Sequence, residues 1–405
     1  MNRKNCLICG DNNINKIIDL GMHPYADTFI SKKNYFRLDK VYPLVVQMCN
    51  RCGNIQLECV TSPEERYLEN EYSYTSSNSN FSKEYWNLYY HDVIKIYKGK
   101  KKLSILEIGS NDGYLLGLFK QNGHNVLGVD ASPFMAKLSN KSGIKTISEI
   151  FDENIATQIL SEYGKFDVVI ANNVFNHSDD PKNFMRGVKS LLTDKGFFIF
   201  ESPYWLDSII SGKFDQIYHE HVSYFTARSL KYLSRISNLK IIDATKSYYH
   251  GGSLRLIVGN YENNIGEEKI NTLIEKEKFY NLYDKSFYEN FNNVLINKKN
   301  IFMEKIYKIK ISKSPIICVG AAAKANTFLN FYGLNNNLID CVTDSSNNKI
   351  GKFTPLTRIP IHPDEILKEF SSPFIIFTAW NVSADLKKII SKINPNYKEC
   401  NPYEN

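Results

Sequence analysis

The sequence predicts a mixed α/β protein. A central Rossmann-like domain of strands wound with helices follows a small N-terminal domain held by cysteines, and a second Rossmann-like α/β domain closes the chain. Three observations carry this prediction. Apolar runs of strand length alternate with helical periodicity between residues 103 and 200, a second alternation starts at Pro315, and two Cys-x-x-Cys-Gly pairs fall within the first 53 residues. Strands that alternate with helices build a parallel sheet covered by those helices. A length of 405 residues suits two or three domains. The expected boundaries are 1–72, 73–262 and 263–405.

Residues 1–72 read as short strands and turns around a metal. Cys6-Leu-Ile-Cys9-Gly10 and Cys49-Asn-Arg-Cys52-Gly53 each have the shape of a metal knuckle, in which glycine takes the positive φ of the turn and backbone N–H groups point at sulfur. The opening MNRKNCLICG lacks the apolar core of a secretory signal, so metal is expected rather than disulfides. Cys6, Cys9, Cys49 and Cys52 supply four thiolates. They saturate a tetrahedral zinc, which makes it structural and leaves no position for a reactive water. The competing reading is one redox pair and one coincidence. The long gap between the knuckles must fold back as a small subdomain. Cys59, Cys318, Cys341 and Cys400 stand alone, and Cys318 and Cys341 lie in apolar runs that read as core.

Residues 81–98 carry apolar side chains at helical spacing. Strands are expected at Leu103–Ile108, Val126–Val129, Phe166–Ala171 and Phe197–Phe200, with helices near 133–140, 152–162 and 181–192. The first strand ends in Glu107-Ile-Gly109-Ser110-Asn111-Asp112-Gly113, a turn that lets a ligand approach the backbone and meet helical N–H groups. Asp130 ends the next strand, 17 residues after Gly113, where a carboxylate accepts both ribose hydroxyls; Ala131 and Ser132 follow it. Two details favour S-adenosylmethionine over a dinucleotide. Glu107 stands where a carboxylate holds the amino-acid end of that cofactor, directly or through water, and the turn is GSNDG rather than GxGxxG. The bland alternative is a bare α/β turn with Asp130 as a helix cap. The strand ending at Ala171 delivers Asn172, Asn173 and His177 to the same rim, where open α/β sheets bind ligands.

The densest titratable cluster is Tyr218-His219-Glu220-His221. Read as extended, it puts Tyr218 and Glu220 on one face and His219 and His221 on the other. A histidine with a carboxylate neighbour suits proton abstraction from carbon; methylating carbon needs such a base, whereas methylating nitrogen or oxygen often needs only desolvation and positioning. A second metal site here lacks a clear fourth ligand. The hydroxyls of Tyr72, Tyr74 and Ser76 suit a sugar or phosphate, or simply a polar linker. Residues 265–311 read as one or two helices bridging domains, and the strand ending at Gly320 opens the C-terminal alternation.

These motifs together resemble the S-adenosylmethionine-dependent sugar C-methyltransferases that act at C-3 of nucleotide-linked 4-keto-6-deoxyhexoses. The resemblance covers nearly the whole chain. It rests on CxxCG at Cys6–Gly10, Gly21-Met-His-Pro24, Tyr42-Pro-Leu44 through Cys49, Cys52 and Gly53 to Leu57, Tyr-x-Tyr-x-Ser-Ser at Tyr72–Ser77, the EIGSNDG loop, Asn173 with His177, and Tyr218, Glu220, His221 and Tyr224. His250–Arg255, Gly320 with Lys324, Asn326 and Thr327, and Ala379-Trp380-Asn381 complete it. The resemblance implies a class I methyltransferase fold for the central domain and a zinc-binding N-terminal domain. It implies that His221 takes the C-3 proton with Glu220 orienting it or sharing the role, and that Tyr218 and His177 position the sugar or stabilise the enolate oxygen. It further implies substrate contacts from Tyr72 or Tyr74, Ser76, His250, Lys324, Asn326, Trp380 and Asn381, with the C-terminal domain taking the nucleotide diphosphate. One departure, Thr-Pro-Leu after Gly351-Lys-Phe where the family often turns through Pro-Gly, touches recognition of the base.

Composition sets the outer limits. Hydrophobic residues are 43% and charged residues 23%, enough for a sizeable core and unlike a disordered chain. No apolar run reaches membrane-spanning length. The net charge of +7 is compatible with an anionic substrate, and the positive residues are dispersed rather than gathered in a nucleic-acid tail. A cytoplasmic monomer or weak homo-oligomer acting on a nucleotide-diphosphate sugar, without nucleic acid or membrane, is the expectation. A zinc-containing RNA-modifying methyltransferase is the alternative. An oxidoreductase built on the C-terminal Gly-Ala-Ala-Ala-Lys loop and a non-catalytic scaffold fit less well.

Overall fold

The computed structural model describes residues 2–67, 75–77, 79–97, 102–261 and 264–401. The chain forms two compact units from interleaved segments. Met1–Asn15, Gln47–Asp207 and Val222–Tyr283 make the first, and Lys16–Val46, Ser208–His221 and Asp284–Asn405 the second. The boundaries expected at 72/73 and 262/263 fall on residues outside those described.

The first unit holds a seven-stranded sheet. In spatial order its strands are Lys240–Ser247, Ser253–Gly259, Leu192–Pro203, Phe166–Asn172, Ser104–Ile108, Asn125–Asp130 and Thr146–Ser148. The five between Ser104 and Pro203 are parallel. Ser253–Gly259 runs antiparallel to both its neighbours. Counted along the chain, the order is 3-2-1-4-5-7-6. It reverses between Ser104–Ile108 and Phe166–Asn172, so the crevice beyond their C-terminal ends is where an open α/β sheet takes a ligand.

The helices start where the sequence supplies caps. Ser132 accepts from the Met135 N–H ahead of helix Pro133–Lys141, Asp152 from Ile155 ahead of Glu153–Tyr163, and Asp180 from Lys182 and Asn183 ahead of Pro181–Leu191. Each such cap contributes about 1 kcal/mol. Apolar faces of the sheet (Ile105, Val168, Ile170, Phe197, Ile199) pack against Tyr85, Tyr89 and Val93 of helix Asn80–Ile96 and against Leu115, Leu116 and Phe119 of helix Tyr114–Gln121.

Two features of this sheet depart from the sequence reading. The strand expected at Phe197–Phe200 runs from Leu192 to Pro203, because pairing with Phe166–Asn172 and Ser253–Gly259 extends it through polar residues. The hairpin of the last two strands has no Asn-Gly or Asp-Gly signal; it turns through Tyr249–Gly251 with His250 at φ +52°.

The second unit holds a parallel five-stranded sheet in the order Ile361–His362, Cys341–Thr343, Ile316–Val319, Phe374–Phe377, Lys398–Glu399. Counted along the chain this is 3-2-1-4-5, again reversing beside its first strand. Ile317, Val319, Cys341, Ile375 and Phe377 bury together with Ile390 of helix Ser383–Ile393. Cys318 is also buried, so both isolated cysteines serve the core as expected. The helical stretch expected over 265–311 is two helices: Asn264–Phe279 belongs to the first unit and Lys285–Ile311 to the second. Among the described residues no helix is long and apolar enough to cross a membrane.

Candidate active site

The metal cluster forms in the first unit. The sulfurs of Cys6, Cys9, Cys49 and Cys52 lie within 4.8 Å of one another. The two knuckles repeat one geometry. Gly10 donates to the Cys6 carbonyl and Gly53 to that of Cys49, both at 2.9 Å, while Cys6 and Cys49 donate to Asp11 and Asn54, both at 2.8 Å. Gly10 and Gly53 sit at φ +73° and +74°, where a Cβ is strained. Cys6 and Cys52 sulfurs are 3.5 Å apart and those of Cys9 and Cys49 are 3.4 Å apart. That is too long for a disulfide of about 2.05 Å. It is near the edge, about 3.8 Å, of a tetrahedron with metal–sulfur bonds of about 2.3 Å. The donor set fits zinc, and four thiolates leave it closed. His219, Glu220 and His221 form no comparable metal-ligand group among the described residues.

The cofactor turn lies at the reversal point of the same unit's sheet. Gly109 and Ser110 donate to the Val129 carbonyl at 2.6 and 3.1 Å, which ties the turn to the end of the neighbouring strand. A Cβ at Gly109 would stand 2.1 Å from a methyl of Val174, at a φ of +71°. Asp130 accepts the Asn111 N–H at 2.8 Å on one oxygen and the Ser132 N–H at 2.9 Å on the other, so it orders the turn from the next strand. Burial raises its carboxyl to about 6 against those two donors. Glu107 is buried, and its Oε2 has no hydrogen-bond partner among the described residues. Burial pushes its carboxyl well above the usual range, and Asp112 and Asp130 add like charge. A buried carboxylate oxygen without a donor beside a strained glycine turn fits the ammonium end of S-adenosylmethionine. Asp130 fits its ribose, having spare lone pairs on both oxygens.

Asn111 and Asp112 have a second role. Asn111 Oδ1 accepts the Ser76 N–H at 2.8 Å, and the Asp112 carboxylate takes the hydroxyls of Ser76 and Ser77 at 2.5 and 2.6 Å. Ser76, expected at the substrate, is thus brought onto the cofactor turn. Asn172 closes its strand, and Asn173 takes φ +54° while donating to the Glu201 carbonyl. Ala131 lies between Asp130 and the cap Ser132. His177 follows in the turn Phe175–His177, with its Nδ1 2.9 Å from the Tyr67 hydroxyl. Burial, helped by the charge of Arg66, lowers its pKa to about 3. His250 packs edge-on against Tyr249 in the hairpin turn. Tyr72 and Tyr74 lie outside the described residues.

The titratable cluster belongs to the second unit, and it is a turn rather than an extended strand. His221 N–H donates to the Tyr218 carbonyl at 3.0 Å. That closure brings residues 218 and 221 side by side, with the Tyr218 hydroxyl 2.6 Å from His221 Nε2 and ring centroids 3.9 Å apart. The expected alternation of faces is therefore corrected. His221 Nδ1 is 3.0 Å from the Gln216 carbonyl, which can only accept, so Nδ1 carries the hydrogen and Nε2 accepts from Tyr218. Glu220 receives the Asp27 N–H at 3.1 Å, and burial raises its carboxyl to about 7. His219 is buried with Nε2 3.3 Å from the Pro43 carbonyl.

In the same unit, Lys324 sits in the first turn of helix Ala323–Tyr332, 4.9 Å from the centre of the Trp380 ring, which Lys213 also overlies at 4.2 Å. Trp380 Nε1 donates to Asp215 at 2.6 Å, and Asn381 shares its turn Trp380–Val382. Burial lowers the Lys324 amine to about 8, opposed by Asp215 and reinforced by Lys213. Asn326 and Thr327 face the protein's own backbone, donating to the carbonyls of Ala26 and Ile217.

Three family models tile this chain. One described as "Putative zinc binding domain" matches residues 6–67, "Methyltransferase domain" matches 84–244, and "C-methyltransferase C-terminal domain" matches 248–396. The C-methyltransferase NovU of Streptomyces niveus is 25% identical over 94% of this chain and 90% of its own. Along nearly its whole length the chain is similar to a C-methyltransferase. Other similarities are partial: EEF1A lysine methyltransferase 2 of Homo sapiens is 30% identical over 28% of this chain and 52% of its own. A solved methyltransferase from Archaeoglobus fulgidus covers 44% of this chain and 93% of its own at 16% identity, with a TM-score of 0.36, too low to carry weight.

The chain therefore has a class I methyltransferase fold, depends on S-adenosylmethionine and carries a four-cysteine cluster that fits zinc. Residues at the candidate sites of the two units that the sequence did not announce are Tyr67, Asp179, Lys213, Asp215 and Gln216. Each acts through a partner distant in sequence or through its backbone, so no local motif marks it.

Proposed function

We propose that the protein transfers a methyl group to C-3 of a nucleotide-diphosphate-linked 4-keto-6-deoxy sugar by way of an enolate. The observation that carries this reading is the Tyr218–His221 pair, a hydrogen-bonded acid–base couple beside a carboxyl titrating near neutrality. Bound S-adenosylmethionine supplies an electrophilic methyl group on sulfonium. The C-4 carbonyl acidifies the proton at C-3. His221 takes that proton at Nε2, its one basic nitrogen, while Nδ1–H stays on Gln216. The Tyr218 hydroxyl hydrogen, displaced from Nε2, is then donated to the enolate oxygen, a stabilisation that grows with the charge. Glu220 is the second proton-exchanging group. Lys324 and Lys213, on one indole with Asp215, suit a diphosphate. His177 positions the sugar.

The test is a panel of nucleotide-linked 4-keto-6-deoxy sugars with S-adenosylmethionine, read by mass. A gain of one methyl group on at least one sugar, lost in His221→Asn with cofactor affinity retained, is expected. Methylation of RNA with no reaction on any keto sugar would overturn it.

A further inference from the structure

We propose that Tyr67 is a positioning residue, one that holds His177 as the tautomer with its hydrogen on Nε2 and so makes that ring a hydrogen-bond donor. Tyr67 ends the short helix Pro63–Tyr67, and its hydroxyl lies 2.9 Å from His177 Nδ1, with the two rings stacked at 5°. Its neighbour Arg66 is buried and ion-paired to Asp179, two residues beyond His177. Asp179 also binds Arg3. One carboxylate thus ties the segment before the helix, the helix itself and the turn carrying His177 into a single cluster. The Arg66 guanidinium sets positive charge against the imidazole, and burial removes the water that would solvate a second cation.

A neutral imidazole has one donor and one acceptor nitrogen. A phenol is the stronger donor of the pair and an imidazole nitrogen the stronger acceptor, so Tyr67 O–H donates to Nδ1 and the ring hydrogen sits on Nε2. His177 is then built to give a hydrogen bond to an oxygen and not to take a proton. Its use on the substrate rests on the proposed reaction; the tautomer does not.

Histidine labelled with nitrogen-15 tests this, the His177 ring signals being assigned among eight histidines by their loss in His177→Gln. The expected spectrum has a hydrogen-bearing Nε2 and a bare Nδ1, unchanged down to pH 5. Tyr67→Phe, which keeps the ring, should move the signals toward a tautomer mixture with little change in melting temperature. A hydrogen on Nδ1 in the unsubstituted protein, or a Tyr67→Phe spectrum identical to it, would overturn the assignment. Turnover should fall at least tenfold in Tyr67→Phe at unchanged cofactor affinity. If the tautomer moves and turnover does not, Tyr67 keeps its role and the role of His177 in the reaction falls.

Discussion

Asp130 accepts two backbone N–H groups and is still held partly protonated near pH 6 by burial. With Asp130 proposed as the ribose ligand, the hydroxyls bind better to its ionised form, so cofactor binding and proton loss are linked. Calorimetric affinity for S-adenosylmethionine should weaken as the pH falls through about 6, and Asp130→Asn should bind weakly with a shallower dependence there. Glu220 gives the opposite sign for stability. Its folded pKa of about 7 exceeds the ordinary 4.5, so the native chain holds more protons between those values and loses stability as pH rises through them. Glu220→Gln should raise the melting temperature at pH 8 and leave it unchanged at pH 4. Glu107, Asp130 and the four cysteines were legible in the sequence because their chemistry depends on short, fixed spacing. Tyr67, Asp179 and Asp215 were not, because each is defined by a partner more than 60 residues away.

At the scale of elements, the cofactor turn and the Tyr218–His221 turn show what local pattern conveys. Strand, glycine turn and helix followed one another in the sequence as in the fold, since a buried parallel strand and a capped helix each leave a compositional trace. The Tyr218–His221 segment left none: its hydrogen bond is between backbone groups, and a strand reading put its partners on opposite faces. The hairpin of Lys240–Ser247 with Ser253–Gly259 was likewise unmarked. The turn of the cofactor loop makes a sharp prediction. Gly109→Ala sets a Cβ against Val174 at positive φ, a strain of about 1–3 kcal/mol. It should weaken S-adenosylmethionine binding at least tenfold, measured by calorimetry, while far-ultraviolet dichroism stays native.

Over the whole molecule, the first unit carries the four-cysteine cluster and the proposed cofactor residues, and the second carries the proposed acid–base pair and the lysines. The metal belongs to folding rather than chemistry. Zinc content should be one per chain, and Cys49→Ser should lower it together with the melting temperature, because binding to four thiolates contributes several kcal/mol to the folded state. In the proposed reaction a carbon nucleophile is made before any methyl group moves. That order is tested most directly in deuterated water with the keto sugar and S-adenosylhomocysteine, which cannot donate methyl, following the C-3 proton by magnetic resonance. Loss of that signal in the unsubstituted protein and its persistence in His221→Asn is the predicted result. A C-3 proton that never exchanges, in a protein that still methylates the same sugar on oxygen, would contradict it.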